Sequence, residues 1–402
     1  MTGLVIQKLF STYKSQLDSS PQPLKNRKAI HAITHCRTRT MGVSYYACAD
    51  AHKGIEQFHS CRNRSCFLCS QKKRLEWIES QKSRLFNTPH FHVIFTLPHE
   101  YLSLWRHNEK LFTSIIFKAS QNTLLELLSD KKYGGVTPGI LMALHTWGRQ
   151  LTLHPHTHCL VSAGGLSEKG DWQTLGKFLL PSGVIRRVYR GKLQALLRDY
   201  ANAGELVMPP GLSLHNFWVM HRQLYKKEWS VRIEERYEHG KDVLLYLARY
   251  CKGGPINPKQ IQTLNNNNIE FKYLDHRDKR TKKLSLKPRE FIRRLLDHVP
   301  VTGSHTIRYY GLYAPASKAK YRQCLGLVGS LVGVKSSSGA QIQSMLLYCK
   351  ICGRPAKLQY QLWSGLQKGT SINKESSSLC RRQCTTTGDQ ADLTKDNLCN
   401  TS

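Results

Sequence analysis

The order of hydrophobic and polar positions along the chain predicts a domain of mixed helices and strands. Alternating or continuous apolar runs predict strands, and apolar positions three and four residues apart predict helices. Strands are predicted at 91–97, 139–146, 156–163, 229–234, 269–274 and 305–310, and helices at 102–129, 185–201, 241–251 and 288–298. Because the chain has neither a regular βαβ repeat nor the spacing of an all-β protein, we expect an α+β fold with a largely antiparallel sheet.

The ends of the chain have a different pattern. Apolar positions across residues 4–17 have helical spacing and precede a Ser- and Pro-containing breaker at 19–23, which predicts a short helical lead-in. From residue 364 onward the sequence is polar with few large apolar side chains, which predicts a disordered tail. The longest mostly apolar run, 325–334, is far short of the roughly 20 residues of a membrane span, so we expect a soluble cytoplasmic protein.

The net charge of the chain indicates what kind of molecule it binds. The 402 residues include 60 Lys or Arg and 27 Asp or Glu, a net charge of +33, which indicates a polyanionic partner such as nucleic acid. Residues 272–294 hold ten Lys or Arg against three acids. We interpret this stretch as a phosphate-contacting surface, although a solvated charged face is the alternative. Its candidate nucleic-acid-binding residues are Lys279, Arg280, Lys282 and Lys283.

Three histidines at two-residue spacing open one predicted strand. They are His154, His156 and His158, and alternate strand residues point to one face, so His156 and His158 project side by side. Two imidazoles on one face are able to hold one metal ion. The alternative is a histidine-rich hairpin without metal.

Two tyrosines four residues apart lie on a predicted helix. Tyr246 and Tyr250 share one helix face with their side chains about 5 to 6 Å apart, so they form a candidate pair of nucleophiles. Core packing is the alternative. Tyr309 and Tyr313 have the same spacing, but a glycine between them and a proline after them argue against a helix there. A tyrosine oxygen is able to attack a phosphodiester while a histidine-bound divalent ion polarises the phosphoryl group.

Four successive motifs carry a family resemblance. They are Phe-Thr-Leu-Pro at 95–98, the histidine-containing stretch at 144–161, Tyr-Leu-Ala-Arg-Tyr at 246–250 and Ile-Arg-Tyr-Tyr-Gly at 307–311. In this order they resemble the motifs of the IS-ninety-one type two-tyrosine rolling-circle transposases, which are part of the HUH nuclease superfamily. The resemblance runs from about residue 36 to residue 313.

The resemblance implies a fold, a reaction and site residues. The fold is an antiparallel-sheet palm with helices, and the activity is that of a DNA transposase that nicks and transfers single-stranded DNA at the ends of a mobile element through a 5′-phosphotyrosine. His156 and His158 are the implied ligands of a catalytic Mg²⁺ or Mn²⁺, and Tyr246 and Tyr250 the implied nucleophiles. Such a protein is expected at the bacterial nucleoid.

The resemblance leaves two points of the metal site open. The residue between the two histidines is Thr157 where the family has a large apolar residue, although threonine suits a strand. The third metal ligand is not named by the sequence. Asp242, one helical turn before Tyr246, and His92, on the strand of the first motif, are the two candidates.

Cysteines mark a second module. Five of the 13 cysteines fall within residues 36–69, and Cys66 and Cys69 have the spacing of half a zinc knuckle. This module resembles the N-terminal zinc-binding domain of the same transposases, which commonly pairs such an element with an earlier Cys-x-x-Cys. Here Ala51 takes the second position of that earlier pair. For one structural zinc we predict Cys48, Cys66 and Cys69 as ligands, with Cys61, Cys36 or His52 as the fourth, and Cys61 is our first choice.

A further cysteine pair, Cys349 and Cys352, has knuckle spacing but no evident partner in the sequence, so we assign no site to it. Free buried thiols are the alternative for the whole module.

The predicted segments are a helical lead-in at 1–29, a zinc-binding module at 30–75, a nuclease domain at 76–315, a C-terminal extension at 316–362 and a polar tail at 363–402. The competing functions are a non-catalytic zinc-containing nucleic-acid-binding protein and a relaxase or replication initiator of the same superfamily.

Overall fold

The computed structural model describes residues 2–50, 52–238, 240–246, 254–264, 267–275, 278–331 and 347–363. The chain divides into two compact units. The main unit comprises Met1–Cys36 and Ser60–Ile342, and the small unit comprises Arg37–His59 and Gln343–Ser402. These two units are defined by contacts in space. The five segments along the chain given in the sequence analysis stay a prediction.

The helices among the described residues alternate irregularly with strands. They are α1 (Thr2–Thr12), α2 (Lys14–Asp18), α3 (Leu24–His35), α4 (Phe67–Lys82), α5 (Leu102–His107), α6 (Glu109–Ser129), α7 (Ser182–Asn202), α8 (Leu214–Lys226), α9 (Gly240–Tyr246), α10 (Pro288–Asp297) and α11 (Lys318–Val328). None of these helices is long and apolar enough to cross a bilayer.

Every strand pairing in the described part of the chain is antiparallel. The strands are β1 (Gly42–Ala47), β2 (Ile55–Phe58), β3 (His90–Thr96), β4 (Val136–Trp147), β5 (Leu153–Ser167), β6 (Trp172–Thr174), β7 (Val231–Tyr237), β8 (Ile261–Leu264), β9 (Ile269–Leu274), β10 (Thr281–Leu286), β11 (Ile307–Gly311), β12 (Leu347–Tyr348) and β13 (Pro355–Trp363).

Two of the sheets lie in the main unit and one in the small unit. The largest sheet has the order β11-β4-β5-β3-β7, with β6 paired to β5, and the second has the order β10-β9-β8. The small unit contains the sheet β12-β13-β1-β2. The predicted α+β class with a largely antiparallel sheet is therefore confirmed.

The two faces of the largest sheet differ in character. Side chains alternate along β5, so Cys159, Val161 and Ala163 face the main hydrophobic core, which also contains the buried sides of α6 and α7. The intervening Leu160 belongs to a separate buried cluster on the opposite face. This opposite face also carries the histidines of β5, because His156 and His158 have the same parity as Leu160.

One predicted helix is two helices in the structure. Residues 102–129 form α5 and α6, and Asn108 separates them. The Asn108 side-chain amide donates to the carbonyls of Leu104 at 2.9 Å and Val207 at 2.7 Å, and its oxygen accepts from the Val207 amide at 2.8 Å. Since Asn108 is buried, these bonds satisfy its polar atoms and hold the loop at Val207 against the helix junction. The prediction of one continuous helix is wrong at this residue.

Candidate active site and metal centres

Three histidines meet on one face of the largest sheet. His145 on β4 pairs directly with His156 on β5, and His158 lies two residues further along the same face. Each of the three offers a ring nitrogen, and these nitrogens lie within 4.8 Å of one another. His145 and His158 are buried, and His156 is partly exposed. The predicted pair of His156 and His158 is therefore brought together, with His145 as a third neighbour.

Hydrogen bonds fix which nitrogens are able to bind a cation. The Nδ1 atom of His156 lies 2.6 Å from the carbonyl oxygen of His154, so Nδ1 must carry the proton and Nε2 keeps its lone pair. This Nε2 faces the Nε2 of His158 at 3.0 Å. Burial lowers the pKa of both imidazoles well below 6.5, so both are neutral.

His92 stands behind this pair. Its Nε2 lies 2.9 Å from Nδ1 of His158, so His158 is able to donate from Nδ1 and present a bare Nε2 to a cation. Two neutral nitrogens that face each other at 3.0 Å need either a shared proton or a cation between them. An outer hydrogen-bond partner of this kind is what metal-binding histidines ordinarily have. The donor set therefore fits a divalent ion.

The third ligand favoured by this geometry is His145, which the sequence analysis did not single out. The two candidates named from the sequence are less well placed. His92 contacts the cluster only through Nδ1 of His158, and Asp242 belongs to none of the possible metal-binding groups among the described residues. His145 lies in a predicted strand, but only the register between β4 and β5 places it opposite His156. The available signal was the position of His145 on a strand joined by a short turn to the histidine-rich strand.

The surroundings of Thr157 accommodate a threonine at the position where the family has a large apolar residue. This residue points to the opposite face from the histidines and is fully buried. Its hydroxyl lies 3.1 Å from the hydroxyl of Ser120 on α6. A buried hydroxyl with such a partner avoids the cost of an unsatisfied polar group, so α6 supports the strand that carries the ligands.

Tyr246 lies beside the histidine cluster. It is the last residue of α9 and is buried, with its ring edge-on to His92 at 4.8 Å between ring centroids. Its ring also packs against Tyr237 on β7, with centroids 5.6 Å apart. The second predicted nucleophile, Tyr250, lies outside the described residues.

The other tyrosine pair has a structural role. Tyr309 lies on β11 and Tyr313 follows that strand, so the expectation that they do not share a helix is confirmed. The Tyr313 hydroxyl is buried between the amide of Phe86 at 3.1 Å and His90 Nε2 at 2.9 Å. Burial raises the pKa of Tyr313, so its phenol stays protonated.

A broad cleft of the main unit opens onto the histidines. Its volume of about 1810 Å³ exceeds the 300 to 1,000 Å³ typical of small-molecule pockets, so it has room for a polymer. Histidines 92, 145, 156 and 158 line it. Six basic residues also line it against two acids, Glu234 and Asp275, and the six are Arg62, Arg64, Lys73, Arg74, Arg149 and Arg232. The cleft therefore attracts a polyanion.

The predicted nucleic-acid-binding residues lie around the β9–β10 hairpin. Lys279 and Arg280 are exposed in the turn, where Lys279 has a φ of +54°. Lys282 pairs with Asp275 at 2.7 Å and Asp278 at 2.8 Å, and the strand neighbour Lys283 pairs with Glu270 at 3.1 Å. Acidic neighbours therefore offset part of the positive charge of this stretch.

A four-cysteine cluster lies in the main unit. Cys36 directly follows α3, Cys66 precedes α4, Cys69 lies in the first turn of α4, and Cys61 lies in the loop before α4. The sulfur of Cys69 is 3.5 Å from that of Cys36 and 3.6 Å from that of Cys61. Tetrahedral zinc with bonds of about 2.3 Å places its sulfurs about 3.8 Å apart, so the cluster fits structural zinc.

The thiols of this cluster interact strongly. Side-chain hydrogen bonds from Cys61 and Cys66 lower the pKa of Cys36 to about 7, and the bonds within the cluster also lower the pKa of Cys69 and raise the pKa values of Cys61 and Cys66. The structure thus brings together Cys61, Cys66 and Cys69 of the predicted set, with Cys36 as the fourth. Cys48 does not belong to this cluster, because it groups with residues of the small unit.

The zinc cluster also shapes the cleft. Arg62 and Arg64 lie in the loop between Cys61 and Cys66, and both line the cleft. The loop is fixed by the bond from Lys73 to the Arg62 carbonyl at 2.9 Å and by the bond from Arg64 to the Ser304 carbonyl at 3.0 Å. A metal that closes this loop therefore positions two cations on the polyanion surface.

Comparisons with known proteins agree with these features. Residues 139–320 match a family model described as a putative transposase, and residues 5–97 match one described as a transposase zinc-binding domain. The chain is similar to the putative transposase y4qJ of Sinorhizobium fredii, with 32% identity over 82% of this chain and 84% of that protein. It is also similar to the transposase of insertion sequence element IS801 of Pseudomonas savastanoi pv. phaseolicola, with 31% identity over 69% of this chain and 68% of that protein.

Proposed function

This chain belongs to the IS-ninety-one type family of two-tyrosine DNA transposases with an N-terminal zinc-binding domain, and from that premise we propose that it nicks and transfers single-stranded DNA through a 5′-phosphotyrosine. Tyr246 and Tyr250 are the proposed nucleophiles. The proposed substrate is single-stranded DNA at the ends of the mobile element that encodes the protein, and the proposed site of action is the nucleoid.

The observation that carries this proposal is the position of Tyr246 beside the histidine cluster. The Tyr246 ring contacts His92, whose Nε2 contacts His158. A phenol and a set of three imidazoles therefore share one face of the sheet, next to a cleft whose charged lining residues are mostly cations. Nucleophilic attack on a phosphodiester needs all three features, because the backbone must be gripped, the phosphoryl charge offset and the oxygen presented.

The divalent ion, Mg²⁺ or Mn²⁺, would be held by His145, His156 and His158. When bound, such an ion offsets the negative charge that develops on the phosphoryl oxygens. The chain itself keeps His156 and His158 neutral by burial, and the His154 carbonyl holds His156 with Nε2 available. His92 orients His158 in the same way from behind.

The proposed chemical step exchanges one phosphorus–oxygen bond for another. The tyrosine oxygen forms a bond to phosphorus, and the bond between phosphorus and the 3′-oxygen breaks. The proton that the phenol loses is balanced by the proton that the 3′-oxygen gains as it becomes a hydroxyl. A phenol with a pKa near 10 is a weak nucleophile at neutral pH, so the site must favour its deprotonation as attack proceeds. Two tyrosines permit two successive cleavages before the strands are rejoined.

The test uses single-stranded oligonucleotides from both flanks of the encoding element, labelled at either end. With Mn²⁺ or Mg²⁺, we expect the 3′-labelled fragment to become covalently linked to protein and the 5′-labelled fragment to end in a 3′-hydroxyl that a polymerase extends. EDTA should abolish both products. The double variant Tyr246→Phe with Tyr250→Phe should retain DNA binding and form no adduct.

Tyr310→Phe is the control for loss of a phenol hydroxyl, because this tyrosine of the same unit lies on β11 with its ring against the main core and does not line the cleft. It should keep the adduct. An adduct that persists in the Tyr246/Tyr250 double variant would contradict the assignment of the nucleophiles. Wild-type protein that binds the oligonucleotides and never forms an adduct would instead support the non-catalytic alternative.

A further inference from the structure

Four side chains of the small unit that are able to bind a metal lie close together in space, although about 300 residues of sequence separate two of them from the other two. Cys48 directly follows β1, His52 lies between β1 and β2, and Cys349 and Cys352 lie between β12 and β13. Their ligand atoms lie within 4.8 Å of one another. The antiparallel pairing of β1 with β13, from Gly42 opposite Trp363 to Ala47 opposite Lys357, brings the two segments to the same end of the sheet.

The distances match those of a tetrahedral site. The Nδ1 atom of His52 is 3.5 Å from the sulfur of Cys48 and 3.8 Å from the sulfur of Cys349. Zinc bonds of about 2.3 Å to sulfur and 2.0 to 2.1 Å to nitrogen, at tetrahedral angles, give a sulfur–nitrogen distance of about 3.6 Å. Three thiols and one imidazole are also a common donor set for structural zinc.

The turn that carries Cys349 and Cys352 has the backbone of a zinc knuckle. The amide of Ile351 points at the Cys349 sulfur at 3.4 Å, which stabilises a thiolate there. Gly353 has a φ of +69°, a conformation that favours glycine, and its amide donates to the Cys349 carbonyl at 2.9 Å. The Cys349 amide in turn donates to the Arg354 carbonyl at 2.8 Å. These bonds fix the backbone of the turn that carries both thiols.

The described residues of the small unit bury little apolar surface. None of the three hydrophobic core clusters found among the described residues includes a residue of this unit. On β13 the large side chains Leu358, Tyr360, Leu362 and Trp363 are all at least 42% exposed. A small sheet with so little buried apolar surface generally needs a metal or a disulfide to fold.

We propose that Cys48, His52, Cys349 and Cys352 form a second zinc site, which joins the two sequence-distant halves of the small unit. The site is separate from the cluster of Cys36, Cys61, Cys66 and Cys69, so the chain binds two zinc ions. It does not depend on the nicking reaction. Failure to form a DNA adduct would leave the zinc content unchanged, and the two proposals are therefore tested separately.

The first test counts zinc per chain by elemental analysis of the purified full-length protein. Wild type should contain two zinc ions. Cys349→Ser with Cys352→Ser should contain one, and Cys66→Ser with Cys69→Ser should also contain one. Cys324→Ala is the matched control, because this buried cysteine of α11 belongs to none of the metal-binding groups in the described part of the chain, and it should keep two.

The second test keeps the metal and changes one ligand, so it does not depend on a variant that loses its fold. After replacement of zinc by Co²⁺, His52→Cys should retain two metals per chain and increase the thiolate-to-cobalt charge-transfer absorption by the share of one thiolate. An unchanged cobalt spectrum in this variant would overturn the role of His52. One zinc per wild-type chain, lost only in the Cys66/Cys69 variant, would overturn the second site as a whole.

Discussion

At the scale of single residues, the position of His145 in the histidine cluster predicts that its loss weakens metal binding more than the loss of the neighbouring His154 does. His145→Ala should lower the affinity for Mn²⁺ by at least about tenfold, because removing even an outer hydrogen-bond partner of a metal site commonly has that effect. Adduct formation at limiting Mn²⁺ should fall in parallel. Calorimetric titration with Mn²⁺ measures the first effect, and the oligonucleotide assay measures the second.

His154→Ala is the control for this prediction. The His154 side chain is exposed and belongs to the same His-rich string, while the carbonyl that holds His156 is part of its backbone and remains after the substitution. The variant should bind Mn²⁺ nearly as wild type does. If His154→Ala loses the metal and His145→Ala keeps it, the assignment of the third ligand is incorrect.

The residues of the site differ in how far sequence alone identifies them. His156 and His158 follow from strand parity, because two-residue spacing places both on one face wherever the strand lies. His145 depends on the β4–β5 register, and the ligand sets of the cysteines depend on contacts between distant segments. Cys48 shows the difference most clearly. The family pattern of an earlier Cys-x-x-Cys pair suggested that Cys48 shares a zinc with Cys66, whereas its neighbours Cys349 and Cys352 are reached only through strand pairing with β13.

At the scale of secondary-structure elements, the β9–β10 hairpin predicts unequal effects of its basic residues on DNA binding. Lys279→Gln with Arg280→Gln should weaken binding to any single strand and should reduce the salt dependence of binding by up to about 1.4 in the log–log slope, because up to two phosphate contacts are lost. Lys282→Gln with Lys283→Gln should have a smaller effect, because these lysines already interact with Asp275, Asp278 and Glu270. Fluorescence anisotropy over a range of salt concentrations measures both.

Equal losses for the two pairs would show that the ion pairs open at no cost when DNA binds. Unchanged affinity in both would show that the hairpin is only a solvated face. Arg198→Gln on α7 provides a control for net charge, because it removes one exposed cation outside the residues that line the cleft.

Sequence periodicity predicts the long strands of the largest sheet well. It does not predict the break in a helix or a strand whose pairing partner is far away in the sequence. The strands predicted at 139–146 and 156–163 correspond to β4 and β5, since long apolar runs leave little choice of structure. The helix at 102–129 divides at Asn108, because the tertiary contact with Val207 decides the conformation there. The alternation of Ala356, Leu358, Tyr360 and Leu362 is a strand signal that our prediction does not include, and the partner of β13 is β1, about 300 residues earlier in the sequence.

At the scale of the whole molecule, buried histidines predict that stability falls in mild acid. Burial lowers the pKa of His90 and of His298 from 6.5 to about 4. Above pH 6.5 both the folded and the unfolded chain carry these groups neutral. Between pH 6.5 and 4 only the unfolded chain binds the protons, so the free energy of unfolding should decrease by about 1.4 kcal/mol per pH unit for each histidine.

Chemical denaturation of zinc-loaded protein at pH 7.5 and pH 5.5 measures this loss. His298→Gln replaces a titrating group, whose ring bonds to the Leu151 carbonyl at 3.1 Å, by a polar group that does not titrate. The variant should be less stable at pH 7.5 and should lose less stability on acidification than wild type. Identical pH dependence in both proteins would contradict the role of His298.

The discontinuous small unit has a consequence for synthesis of the protein on the ribosome. Its strand β1 pairs on one side with β2, which follows directly, and on the other with β13, which is made about 300 residues later. At 5 to 20 residues per second the nascent chain exposes that open strand edge for roughly 15 to 60 s. The small unit therefore cannot complete its sheet until β13 is made, and messages that end before residue 349 yield chains that lack half of the proposed zinc ligands. Synthesis through β13 is thus a precondition for the maturation of this unit.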